Sequence, residues 1–187
     1  MMYHKQLTSA FGAILLLMLA VACSGPSEKQ STSGEEPPAS TANLAFWDYA
    51  ASTNMLQAQL GQIASEKAQS KPLRKIGEEE EDFNNKALQK LKRLVRKQPH
   101  IQLPDSLGGA DQEIVYEFRS LQDTEFNSRY RSFLVSSHES QLAWYEDALR
   151  DFKDPALRRW VYGMQEHLRE QLQEIAKTDS TQVQVSE

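Results

Sequence analysis

Cysteine is nearly absent: the 187 residues contain one, Cys23. A disulfide within one molecule needs two, so the fold must be held by apolar packing. Positive charge is also in deficit. The 21 Lys and Arg stand against 26 Asp and Glu, a formal net charge of −5, and a general nucleic-acid binder would show a basic surplus on one face. No apolar run reaches the roughly 20 residues a helix needs to cross a bilayer. No run reads as a strand before Thr181 to Val185, which is short, terminal and expected to be loose. Catalytic signatures are missing too. Gly108-Gly109 lacks the strand and helix context of a phosphate cradle. Ser136, Ser137 and His138 are neighbours on one expected helix, where adjacent side chains do not face each other.

What is present begins with the leader. His4 and Lys5 precede an almost unbroken apolar stretch, Phe11 to Val21, which leads into Ala22-Cys23. A basic lead, a short apolar run and a small-residue exit are the parts of an export signal. Leu19 to Cys23 resembles the bacterial lipobox, with Ala20 in place of the commoner leucine. The resemblance implies a lipoprotein signal peptide over residues 1–22 and lipid modification of Cys23; cleavage by the ordinary signal peptidase, with an incidental cysteine, is the alternative. Ser24 after Cys23 points to the outer membrane, facing the periplasm. Residues 23–42 are rich in Ser, Pro, Gly, Thr and Glu without apolar periodicity, so a disordered tether is expected. About twenty flexible residues reach on the order of 25 Å. Residues 179–187 are similarly polar and read as a disordered tail.

Between them, residues 43–178 carry four long helical patterns. From Asn43, a candidate N-cap, the stripe recurs at Phe46, Tyr49 or Ala50, Thr53, Leu56, Leu60, Ile63 and Ala64, ending near Gln69. Ser70 and Pro72 mark the next start. The second stripe is Leu73, Ile76, Glu80, Phe83, Ala87, Leu91, Leu94 and Val95. Its acids come early, Glu78 to Asp82, and its bases late, Lys90 to Lys97, which complements the helix dipole. Pro99 to Ala110 must be a connection, followed by a short helix from about Asp111 to Ser120. The third long helix starts at Asp123 and carries Phe126, Tyr130, Leu134, Trp144 and Tyr145. Asp154-Pro155 is the sharpest local signal, an N-cap followed by a proline at the first helical position. The fourth helix aligns Leu157, Trp160, Val161, Met164, Leu168, Leu172 and Ile175. Four such stripes are satisfied by an all-α, four-helix bundle, with Trp47, Trp144 and Trp160 entering its core from three helices.

Polar residues at inward positions need partners, because an unsatisfied buried group costs about 1–3 kcal/mol. The candidates are Gln57, Glu80, Asn84, His138 with Glu146, and Gln171. Bundles with a dimetal centre place carboxylates and His at such positions, which makes Glu80, His138 and Glu146 the candidate ligands. The plainer expectation puts Glu80 at the edge of its stripe, reaching water, and His138 packed and satisfied. His167, between Glu166 and Arg169, reads as a surface residue.

The order of elements, with Leu60-Gly61, Leu103-Pro104, Ser137-His138-Glu139, Tyr145-Glu146, Asp154-Pro155-Ala156-Leu157-Arg158 and Leu168-Arg169-Glu170, resembles the exported bacterial family called domain of unknown function 4142. The resemblance covers about Phe46 to Ala176 and implies a ferritin-like bundle, with a short extra helix in the crossover between its second and third helices. Against the family pattern, Gln57 stands in place of a Glu, Phe83-Asn84 in place of an Asp-His pair, and Gln171 in place of a His. His138 and Glu146 keep the family's residue types. Amides bring no charge to a divalent cation, so the expectation is a metal-free network of Gln57, Asn84, His138 and Gln171, without a cofactor.

Three functions follow as expectations. The first is a non-catalytic, lipid-anchored envelope bundle with envelope protein partners and no nucleic acid. The second is a ferritin-like metal-binding or oxidoreductase bundle with a degenerate site for iron or manganese. The third is a small-molecule or lipid carrier whose aromatic residues line a cavity.

Overall fold

A computed structural model describes the backbone of residues 41–184 and the side chains of residues 44–178. The leader, Cys23 and all but the end of the tether lie outside the described residues. Within them the protein is all-α, with five helices and no strand: α1 Thr41–Lys67, α2 Lys71–Val95, α3 Gly109–Ser120, α4 Asp123–Asp151 and α5 Pro155–Gln184.

Local chemistry explains most boundaries. Ser70 holds the extended backbone that opens α2, with a proline in the first helical positions. At α5, Asp154 Oδ1 accepts the Ala156 and Leu157 amides at 2.6 and 3.1 Å, as the Asp-Pro pair predicts. One turn further on, Arg158 Nη1 donates to the Leu149 and Phe152 carbonyls, which serves carbonyls that the end of α4 leaves open. Three boundaries differ from the sequence reading. α1 starts at Thr41, before the cap expected at Asn43, and closes at Lys67. α3 takes in Gly109. α5 stays helical to Gln184, through most of the segment expected to be a loose tail.

α1 packs on α2, α2 on α5, α5 on α4 and α4 on α1, while α3 lies against α1. The α1–α2 contact is the tightest. A Cβ built on Gly61 would fall 2.7 Å from both the Gly77 carbonyl oxygen and the Glu81 amide, and one on Gly77 would fall 2.7 Å from the Gly61 carbonyl oxygen. Only glycine lets two backbones approach so closely. Two apolar clusters form. One joins Phe46 and Trp47 of α1 to Leu91, Tyr145, Phe152 and Trp160. The other joins Leu60, Leu73, Phe118, Phe126, Tyr130 and Ile175.

Trp144 leaves the core. It is 44 % exposed and stacks on Tyr49 at 4.6 Å, with 15° between the rings. Its neighbour Tyr145, fully buried, takes the inward position, and successive helical residues point about 100° apart. The remaining aromatics fill space: Phe46 meets Trp47, Phe152 and Trp160 edge-on.

Candidate functional site

Along α2, α4 and α5 the apolar stripe is interrupted between the two clusters. Glu80 and Asn84 follow Ile76, His138 and Gln141 follow Leu134, and Gln171 precedes Ile175; all five polar residues are buried. The Gly61–Gly77 contact sets this layer, since Gly77 lies one turn before Glu80 and brings α2 hard against α1.

Glu80 is the hub, with no exposed surface. Its Oε1 accepts from His138 Nε2 at 3.2 Å and from His167 Nε2 at 3.1 Å. Its Oε2 accepts from Asn84 Nδ2 at 2.8 Å, and the same amide reaches the Glu80 carbonyl oxygen. An ionised carboxylate only accepts, so each imidazole must present its Nε2–H. One carboxylate therefore ties α2 to α4 and α5. Burial alone would raise the Glu80 pKa, but the charge and hydrogen bond of His138, with those of His167, outweigh it and hold the carboxyl at about 2. Burial, with the charge of Glu80, pushes the Tyr130 phenol well above its ordinary range. Phe83 fixes the His167 ring by stacking on it at 3.5 Å.

Two sequence expectations are corrected at this point. Glu80 does not reach water, because two histidines from other helices close over it. His167 is not a surface residue: its side chain is 11 % exposed and bonded to Glu80. Its spacing held a signal, since His167 lies three residues after Met164 and four before Gln171, both buried. Glu146 is exposed and has no part in the cluster. It follows the inward Tyr145 directly, which turns it toward solvent.

The other expected network residues each reach a different partner. Gln57 Nε2 donates to Ser137 Oγ at 2.8 Å, linking α1 to α4, and Gln141 Nε2 approaches the same hydroxyl at 3.2 Å. Gln171 Nε2 donates to Glu79 Oε2 at 3.1 Å, linking α5 to α2. The four residues Gln57, Asn84, His138 and Gln171 therefore bond not to one another: Gln57, His138 and Gln171 reach across helices, Asn84 bonds Glu80 within α2, and two of the four meet on Glu80. Asn54 and Gln165 are also buried polar residues that the stripes did not single out.

A dimetal centre does not fit this layer. Such sites draw Glu and His from several facing helices, whereas among the described residues no group of three His, Cys, Asp or Glu side chains is placed to hold a metal ion. Both histidines aim Nε2 at the same oxygen of Glu80, so those two donors are occupied by it; His138, expected to be fully satisfied, keeps a buried Nδ1 without a partner. The arrangement is a charged latch that joins three helices.

No curated protein and no solved structure matches the chain. A family model matches residues 28–178, which spans the whole of the polar layer and all of α1 to α4, and by that match the chain belongs to the family described as Domain of unknown function (DUF4142).

Proposed function

We propose that this protein is a lipid-anchored, ferritin-like four-helix bundle of the cell envelope, with α3 as an extra helix in its crossover, acting through its surface and not by catalysis. The observation that carries this reading is the engagement of Glu80: Asn84 bonds one oxygen and His138 and His167 the other, so the carboxylate is occupied inside the layer, although Gln57 Oε1, His138 Nδ1 and Gln171 Oε1 are buried without a partner. The closed circuit of contacts from α1 through α2, α5 and α4 supports the bundle, and the Phe11 to Cys23 leader supports the anchor. A surface of this kind suits assembly, protection or stress adaptation at the outer membrane, facing the periplasm. The test is calorimetric titration of the purified protein with Fe²⁺ and with Mn²⁺. Heat without saturation is expected; two ions bound per chain would overturn the non-catalytic reading in favour of a metal-binding or oxidoreductase bundle. Labelling with radioactive palmitate checks the anchor separately. Label should enter the wild type and not Cys23→Ser, and wild type recovered unlabelled in the soluble extract would remove the anchor.

A further inference from the structure

One end of the helical domain is unlike the rest in charge. The start of α1, the end of α2, the end of α4 and the start of α5 meet there around Phe46, Val95, Phe152 and Leu157, and the polypeptide preceding Thr41 joins at this end. Lys90, Lys92, Arg93, Arg96 and Lys97 are all exposed on the last turns of α2 and the residues just after it. None of them has an ion pair with a described residue. Lys153 and Arg159 add two more exposed cations at the α4–α5 turn. Of the acids nearby, Asp147 pairs with Arg150 at 3.2 Å and Asp154 caps α5, while Asp48, Glu146 and Asp151 are exposed on the α1 and α4 side, so the positive charge gathers on the α2 side of this end. The opposite half of α2 carries Glu78, Glu79, Glu81 and Asp82, so a chain of net negative charge keeps a positive end.

The same end also exposes apolar surface. Leu44, Trp144 and Tyr162 are 43, 44 and 49 % exposed, and they are three of the four large hydrophobic residues so exposed among the described residues. Each lies within about two turns of its helix terminus at this end. Arg158 sits over the Tyr162 ring at 5.6 Å. A depression of about 350 Å³ beside the end of α2 places Lys92 and Arg96 against Val95, Ile101 and Leu103. Trp144 borders Asp147 and Asp151, and Tyr162 is held by Arg158; the aromatics supply the apolar body and polar edge, and the unpaired cations at the end of α2 the charge, that a headgroup layer takes up.

We propose that this end docks on an anionic phospholipid surface, its cations on the lipid phosphates and Leu44, Trp144 and Tyr162 entering the headgroup layer. The inference rests on the anchored reading, because a tether entering at this end holds it near the bilayer. Docking and anchoring are nevertheless separate events with separate readouts.

The experiment uses the protein as purified from cells, reconstituted with vesicles of phosphatidylcholine alone or with about one third phosphatidylglycerol. Flotation reports the anchor. Quenching of tryptophan emission by lipids brominated near the headgroup reports docking, since Trp47 and Trp160 are buried and Trp144→Phe identifies the remaining signal. Strong quenching is expected only with phosphatidylglycerol. It should be lost in 1 M salt, and reduced at least about tenfold in K92Q/R93Q/R96Q/K97Q, since each cation near an anionic surface contributes roughly fivefold in affinity. These exposed positions tolerate Gln, and the salt arm needs no variant. Quenching equal on both vesicles, absent from both, or abolished by millimolar inorganic phosphate at constant ionic strength overturns the docking. So does lipid-free self-association that shields Trp144. Failure to float on phosphatidylcholine removes the anchor and leaves the phosphatidylglycerol result to decide the docking.

Discussion

The aromatic cluster around Phe46 and Trp160 and the polar layer around Glu80 are both buried, yet they hold the helices together by different physics. In the cluster each side chain contributes by area and shape, and loss of one leaves its neighbours apolar and content. In the polar layer Glu80 is buried at the full cost of desolvating a carboxylate, which only His138, His167 and Asn84 offset. Apolar packing is forgiving of partners and strict about volume; a buried charge is the reverse.

The sharpest way to break this comparison is to remove one member of the latch. Glu80→Ala leaves two imidazoles facing an apolar void and should destabilise by about 3–5 kcal/mol in urea unfolding. Replacing all three by E80L/H138L/H167L should recover most of that loss, because no buried charge or unpaired imidazole then remains and the Asn84 amide keeps the backbone carbonyl of position 80 as its acceptor. A triple variant weaker than E80A would mean that the layer acts through shape, as the clusters do.

Acid tests the same carboxylate without mutation. The Glu80 pKa is lowered from its ordinary 4.5 to about 2, so its contribution is present above the unfolded value and is lost as pH falls through the folded one. Stability should therefore drop between about pH 4.5 and 2, and the drop should be shallower in Glu80→Gln. Equal slopes would place the acid sensitivity elsewhere.

Gly77→Ala probes the contact that sets the layer. Its Cβ would meet the Gly61 carbonyl oxygen at 2.7 Å, so α1 and α2 must part, at about 1–3 kcal/mol. Asp154→Ala should cost about 0.5–2 kcal/mol, since it removes the acceptor for two amides of α5 without touching cluster or layer.

The helices were legible because their signals are local. A stripe such as Leu157, Trp160, Val161, Met164 and Leu168 states its own buried face, and all five are buried. Asp154-Pro155 states its own cap. Trp144 was misread because its spacing suits the stripe as well as that of Tyr145, and only the packed neighbours decide between adjacent residues. The candidate site was legible by halves. Glu80, Asn84 and His138 stood out as polar groups at apolar positions, but that His138 and His167, from two other helices, share one oxygen of Glu80 is not a property of any single stripe.

The amino-acid order by itself determined an all-α chain, its turn positions, its lack of disulfides and the uneven charge along α2. These follow from periodicity, caps and composition, which act over a few residues. Only tertiary structure decided that Glu80 is sealed from water, that His167 belongs to it, that Glu146 does not and that Trp144 faces out. Those outcomes depend on which helix faces which, and at what rotation, and contacts spanning 58 and 87 residues of sequence set them.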